Sequence, residues 1–389
     1  MNALNCDLCE QDRLHCVYLP QGSARGLKVY VCDYCGLVQS YPRKDRVSHR
    51  PVAVSADAQW GNIRYGKGFR AKFAHDFVDS VKPWDKVQHC VDVGASRGKF
   101  IAEVHRSHPH VVFTAIEPEQ RLVADYAHMP GVTMLSERGE SADIGDYSAD
   151  VIHCSHTLEH VKSAYAMMMI MRQWLKPDGL LYLEVPDIRF IDNDDVIEEW
   201  FIDKHLYHFS TVTLMRLCAR SGFEVVKQDI SDGVNLTYIL KRSDEVLDGV
   251  LQADDAEIVS IKNNIAAYQA RLKKNREGLR QVAQFMEDKA QNRVVGAWGG
   301  GRILDSLVVH GGLNTSCLEV LIDKHLSAYV DARHGISLSL PDEKIETLDI
   351  LFVLSRAYAD EIAREAKRYG FSGEIITWPQ LVEKLETME

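Results

Sequence analysis

The chain has 389 residues, 46% of them hydrophobic, which is enough for two or three domains with cores of their own. Lysine plus arginine number 45 against 56 acidic residues, and the net charge of −11 argues against a general nucleic-acid binder. No apolar run is long enough to span a bilayer and the first residues carry no basic-then-apolar signal, so a cytoplasmic protein without a membrane partner is expected.

The chain opens with "CDLC" (Cys6, Cys9) and continues to "CDYC" (Cys32, Cys35). Each pair places two thiolates on one tight turn, and four thiolates close a tetrahedral zinc site. So short a segment cannot bury a core of its own, so the metal contributes folding free energy. Cys16 is the spare thiol, and the alternative is two chance pairs or a redox pair. A closed four-thiolate site leaves no coordination position for chemistry, so a scaffold role is expected.

Next, "CVDV" (90–93) reads as a strand, "GASRG" as a turn and "KFIAEVHR" as a helix. "VVFTAIEP" (111–118) and "ADVIHCS" (149–155) are further strands, "AYAMMMIMRQWL" a packing helix, "KPDG" a turn and "LLYLEVPD" a strand. This alternation predicts an α/β fold with a mostly parallel sheet, helices on both faces, and ligands at the carboxyl ends of the strands. The glycine turn holds Gly94 and Gly98, with Ser96 between them, as GxxxG rather than GxGxxG. Asp92 just before it would repel a pyrophosphate but suits a cationic, amino-acid-bearing ligand. Glu117 is placed to accept from two ribose hydroxyls. The pattern favours S-adenosylmethionine over NAD. Asp143, in "RGESADI", is either an adenine contact or part of a plain surface loop.

"VDVGASRGKF", "IEP", "HTLEHV" and "LKPDGLLYLEVPD" resemble the successive motifs of class I S-adenosylmethionine-dependent methyltransferases. The whole layout, with "CGLVQ" closing the cysteine segment, resembles the sugar C-methyltransferases that act on nucleotide-linked deoxysugars. The resemblance implies a zinc-binding segment (1–50), a Rossmann-like methyltransferase domain (60–245), a helical linker (254–290) and a Rossmann-like C-terminal domain (291–389). It also implies an acceptor bound between the last two domains.

Two histidine clusters follow strand ends. In "HCSHTLEHV", His156 and His160 are four apart with Glu159 between them, and would share a face if that piece is helical. "FIDKHLYHFS" carries His205, Tyr207 and His208. The cofactor already carries an activated methyl, so the protein must orient the acceptor and take a proton from a hydroxyl or from a carbon beside a keto group. Histidine can serve as that base. A metal at the HxxxH pair lacks a convincing third ligand. The resemblance aligns His156 and His160 with one family motif and His205 with the base-like histidine of another. In that second motif Ile202 and Lys204 replace a tyrosine and a glutamate. Lys204 suits a carboxylate, a phosphate or an oxyanion. Tyr65, in "IRYGKGF", is the nearest match to a further family tyrosine.

"NDDVIEEW" (193–200) reads as an acidic helix start, "STVTLMRLCARSGFEVVKQDI" as helix, turn and strand, and "NLTYILKR" as the last strand of the sheet. Residues 254–290 read as one long helix or two. "RVVGAWGGGRILDSLVV" repeats the strand–glycine–helix theme, and "CLEVLID", "LDILFVLS" and "GEIITW" are strands of a second α/β domain. Gly300 and Arg302 there are candidates for a phosphate of the acceptor, against tight packing as the reason for the glycines. The expected function is methyl transfer from S-adenosylmethionine to a nucleotide sugar, at carbon or oxygen. The alternatives are an NAD-dependent sugar oxidoreductase and a non-catalytic binding protein.

Overall fold

The structure, a computed structural model, describes residues 4–20, 23, 26–43, 70–191, 200–202, 204–229, 234–244, 251–324, 326–328, 330–341, 345–356 and 358–386. These form two units, the first running to Tyr268 and the second starting at Gln269. Tyr65 and most of the expected acidic helix start at 193–200 lie outside the described residues. Among the described residues, no helix is long and apolar enough to cross a membrane.

The first unit opens with an antiparallel meander, β1 (Leu14–Tyr18), β2 (Lys28–Cys32) and β3 (Val38–Tyr41). Then come α1 (Arg70–Asp79), β4 (His89–Val93), α2 (Lys99–Ser107), β5 (Val112–Ile116), α3 (Val123–Tyr126), β6 (Val132–Leu135), β7 (Ala149–Ser155), α4 (Ala164–Trp174) and β8 (Leu175–Pro186). The unit continues with β9 (Tyr207–His208), α5 (Thr211–Arg220), β10 (Phe223–Asp229) and β11 (Asn235–Arg242). The large sheet has the order β10-β11-β8-β7-β4-β5-β6. Its strands β4 to β8 run parallel, and β11 runs antiparallel to both neighbours. The chain starts at β4 and builds outward in both directions, so the carboxyl ends of β4 and β7 flank the crevice where such sheets take ligands.

The sheet is buried on both faces, which is why its strands read as unbroken apolar runs. Phe77 and Val78 of α1, with Phe100, Ile101 and Val104 of α2, cover one face. Met167, Met168, Met171 and Trp174 of α4, with Leu214 and Leu217 of α5, cover the other. The methionine run is packing, as its sequence implies. "KPDG" is not a turn between elements. Ala149 pairs with Leu175 and Val151 with Leu180, so residues 176–179 form a bulge inside one continuous strand.

The cysteine meander is not a separate appendage. β9 pairs with β3, Val38 opposite His208 and Gln39 opposite Tyr207, and completes a four-stranded sheet. Ser40 N–H donates to the Leu206 carbonyl at 2.8 Å. Ser210 then caps α5 through a reciprocal pair with Thr213. Arg216 of the same helix donates to the Cys35 carbonyl at 3.1 Å and to both oxygens of Glu257 at 2.6 and 2.8 Å.

The expected linker is one helix, α6 (Asp255–Ala290), shared by the two units. Ile265 and Tyr268 are buried in its first part, and Leu279, Val282 and Met286 join the core of the second unit. The second unit continues with β12 (Val295–Trp298), α7 (Arg302–Val309), β13 (Val320–Ile322), β14 (Ala332–Arg333), β15 (Ile336–Ser339), β16 (Ile350–Val353), α8 (Ala359–Arg368), β17 (Glu374–Thr377) and α9 (Trp378–Glu386). Its sheet has the order β14-β15-β13-β12-β16-β17 and is parallel apart from the β14–β15 hairpin.

His208 is 3% exposed, and burial pushes its pKa down to about 3. Its Nε2 lies 3.0 Å from Ser40 Oγ. The unfolded chain takes up that proton near pH ~6.5, whereas the fold excludes it. The contribution of a neutral His208 is therefore complete above ~6.5 and is lost at up to about 1.4 kcal/mol per pH unit as pH falls toward the folded value. Chemical denaturation at about pH 7 and about pH 5 is expected to show a drop in stability that His208→Gln reduces. An equal drop in both proteins would remove His208 as its source.

Candidate functional site

Cys6 and Cys35 place their Sγ atoms 3.5 Å apart, as do Cys9 and Cys32. All four are buried, unbridged, and within 4.8 Å of one another. Zinc–sulfur bonds of about 2.3 Å at tetrahedral angles put sulfurs about 3.8 Å apart, so the cluster suits a structural zinc. Gln39 Nε2 donates to Cys6 Sγ at 3.2 Å, a hydrogen bond that a thiolate accepts well. Cys16 lies exposed on β1, away from the cluster.

At the carboxyl end of β4 the chain turns through Gly94 (φ 77°), Ser96 (φ 47°) and Gly98 (φ 67°) before entering α2. A Cβ on Gly94 would meet Thr157 Oγ1 at 2.0 Å, so only glycine fits there. Thr157 Oγ1 itself donates to the Val93 carbonyl at 3.1 Å. Glu117, at the end of β5, accepts from Ser96 N–H at 3.0 Å and Glu119 N–H at 2.9 Å, one bond to each oxygen. Burial raises its pKa above the ordinary value, partly opposed by those two bonds. Asp92 is 1% exposed and lies 2.7 Å from His153 Nδ1. The His153 ring is stacked between Phe100 and Tyr182, with centroids at 3.8 and 5.1 Å.

The "HTLEHV" segment is not an α-helix. His156 has φ 50°, and Leu158–His160 form a single 3₁₀ turn. The two imidazoles nevertheless converge, on the carboxylate between them. His156 Nδ1 and His160 Nε2 each lie 3.5 Å from Glu159 Oε1. The ring of His205 lies 5.0 Å from that of His160. His160 Nδ1 is 2.7 Å from the Lys204 carbonyl, and His205 Nδ1 is 3.0 Å from the Trp200 carbonyl. Glu159 is 1% exposed, and burial raises its pKa to about 8 against the pull of its own backbone N–H, Arg70 and Lys204. Burial, then the neighbouring His160, Lys204 and His208, hold His205 well below the ordinary histidine value, so it is neutral at pH 7. Glu184, near the end of β8, accepts from Ser155 Oγ at 2.8 Å and lies 3.5 Å from Arg70 Nε and 3.7 Å from His156 Nε2.

The structure thus gathers His156, His160, His205 and the backbone of Lys204 into one cluster beside the glycine loop. Tyr207, expected at the acceptor, is instead 1% exposed, with its hydroxyl donating to the Lys162 carbonyl at 2.8 Å. Strand pairing turns it into the core. Asp143 is exposed and accepts from Gly145 N–H at 3.2 Å, closing its own turn. In the second unit, Gly300 N–H donates to Asp323 Oδ2 at 2.9 Å, so a carboxylate occupies the place expected for a phosphate. Arg302 opens α7 just beyond. Glu159, Glu184 and Arg70 were given no role by their sequence positions. The available signal was an acid within otherwise apolar segments, "TLEHV" and "LLYLEVP".

Residues 67–228 match a protein family described as a methyltransferase domain. A search of curated proteins finds no significant match. Among solved structures, a 1,6-didemethyltoxoflavin-N1-methyltransferase from Burkholderia thailandensis is similar at 14% identity and TM-score 0.38, over 60% of this chain and 100% of that one. A possible histamine N-methyltransferase from Thermotoga maritima is similar at 19% identity and TM-score 0.38, over 49% and 96%. A putative S-adenosylmethionine-dependent methyltransferase from Listeria monocytogenes is similar at 13% identity and TM-score 0.37, over 45% and 100%. The strand order and the domain match make residues 67–228 a methyltransferase domain with a class I sheet, a fold that binds S-adenosylmethionine.

The cysteine cluster generates its own test. Cys32→Ser is expected to lower zinc content by one ion per chain and to reduce the thermal midpoint. Hydrogen exchange should accelerate at Val38–Tyr41 and at Leu206–His208 together, because β3 and β9 share one ladder. Faster exchange in the meander alone would show that the metal does not support β9.

Proposed function

We propose that this S-adenosylmethionine-dependent methyltransferase methylates a nucleotide-linked deoxysugar, with a histidine of the His156–His160–His205 cluster as base. The observation that carries this reading is the convergence of three imidazoles on one buried carboxylate, at the carboxyl end of β7, in a segment that shares Thr157 with the glycine loop. The methyl moves from the sulfonium to the acceptor, the sulfur keeps the electron pair of the broken bond, and the acceptor's proton passes to an imidazole. His205 suits this by starting neutral.

In this reading Gly94, Ser96 and Gly98 form the cradle for the amino-acid portion of the cofactor, with Asp92 beneath them. Glu117 takes the ribose hydroxyls with the lone pairs that the two backbone amides leave over. Asp143 plays no part, since its carboxylate closes its own loop. Lys204 faces the acceptor's phosphate or a developing oxyanion. Support for a sugar comes from the resemblance of the layout, cysteine segment, methyltransferase domain and second α/β unit. Lys204 in place of the family's glutamate fits an acceptor whose proton is taken by a neutral imidazole without a carboxylate neighbour at that position.

Gly94→Ala is expected to weaken S-adenosylmethionine binding at least ~10-fold by calorimetry, because the new Cβ overlaps Thr157 Oγ1 at a positive φ. Unchanged affinity would remove the loop from the cofactor site. His205→Gln is expected to lower turnover on the order of 10²-fold with cofactor affinity retained. The assay follows S-adenosylhomocysteine release across a panel of nucleotide-linked sugars, hydroxylated and keto. Loss of deuterium from the carbon beside a keto group identifies carbon as the acceptor; its retention identifies oxygen. A chain that binds the cofactor but methylates no nucleotide sugar would refute the proposed acceptor.

A further inference from the structure

We propose that Glu159, His160 and His205 form a second metal site, an open centre for a zinc-class divalent cation, distinct from the cysteine cluster. Three observations support it independently. One ligand atom from each residue lies within 4.8 Å of those of the other two. His160 Nε2 and Glu159 Oε1 are 3.5 Å apart, and two ligands at about 2.1 Å from a tetrahedral zinc stand about 3.4 Å from each other.

The second observation concerns tautomers. Backbone carbonyls accept only from N–H, so Lys204 O and Trp200 O fix the proton on Nδ1 of His160 and of His205. In the neutral ring the lone pair then sits on Nε2. Anchoring of one ring nitrogen on a carbonyl, with the other left to coordinate, is the arrangement of metal-ligating histidines.

The third is the carboxylate. Glu159 is 1% exposed, and no other described residue donates a hydrogen bond to either of its oxygens. Buried polar atoms are nearly always satisfied. Here the nearest ring nitrogens, His156 Nδ1 and His160 Nε2, each stay 3.5 Å from Oε1. A cation bound there would satisfy the carboxylate. The sequence offered two histidines and no third ligand; the 3₁₀ turn supplies it from the residue between them.

The donor set selects the metal. Two imidazoles and one carboxylate suit zinc, cobalt or iron, whereas magnesium and calcium prefer all-oxygen shells. The site differs from the cysteine cluster in being incomplete. Three protein ligands leave a coordination position open, and the His160 side chain is 29% exposed. A cation there would polarise an acceptor oxygen and ease loss of its proton. With a cation bound, His205 acts as ligand instead of base, and His156 is the imidazole of the cluster that would receive that proton.

The inference does not depend on the acceptor being a sugar, because metal content is read without turnover. Full-length protein, dialysed to equilibrium against micromolar zinc, is expected to hold two zinc ions per chain by mass spectrometry. Glu159→Gln and His205→Asn should each hold one, with S-adenosylmethionine binding retained as proof of folding. Cobalt added to protein with a filled cysteine cluster is expected to give visible d–d bands without sulfur-to-cobalt charge transfer, and both variants should lose them. Wild-type protein that saturates at one zinc ion would overturn the proposal. So would variants that fold, bind the cofactor and still hold two.

Discussion

The short ladder between β3 and β9 is the constraint on which the rest of the site depends. Two residues, Tyr207 and His208, pair with the last strand of the cysteine meander, and Ser40 adds a bond to Leu206. Immediately before them comes His205. The metal cluster, too far along the chain to be a neighbour, thereby fixes where that imidazole stands. Arg216 reinforces the connection from the other side by holding the Cys35 carbonyl and Glu257 at once. A closed thiolate site has no chemistry of its own. Its effect here is positional: it makes a rigid edge for a loop that otherwise has only two residues of strand to hold it.

The second organising contact is the approach of Gly94 to Thr157. It brings the turn after β4 against the turn after β7, the two carboxyl ends that flank the switch point of the sheet. The glycine loop and the imidazole cluster are thus neighbours through a single side chain. Electrostatics sharpen the same region. Asp92, Glu159 and Glu184 are all buried there, each at 2% exposure or less, a concentration of acid that would favour the cationic sulfonium and amino group of the proposed cofactor.

What was legible in the sequence follows the range of the interactions. The cysteine pairs, the glycine turn and the apolar strands are local patterns, and they led directly to the metal cluster and the α/β sheet. Glu159 was visible as a residue but not as a participant, because its surroundings bring together 156, 160, 205 and 70, which only tertiary packing assembles. Tyr207 looked like a site residue since it sits beside histidines, yet pairing with Gln39 places its ring in the core, with its hydroxyl on the Lys162 carbonyl. "KPDG" carries turn residues, but the flanking partners on β7 hold it within a strand as a bulge. The departure at Lys204 is likewise non-local in meaning: it contributes a carbonyl to His160 as well as a charge.

The shared helix α6 sets the terms on which this protein can be divided. Its first part carries Tyr268, whose ring packs against Tyr18 and Phe201 at 6.1 and 5.6 Å, while its last turns belong to the core of the second unit. A fragment ending near residue 245, where the last strand of the large sheet closes, would leave Phe201 and Tyr18 without their aromatic partner, a few residues from His205. The methyltransferase part is therefore not a self-contained module at that boundary. Recombination with another C-terminal unit has to splice inside the helix, beyond Tyr268, in register with its apolar positions.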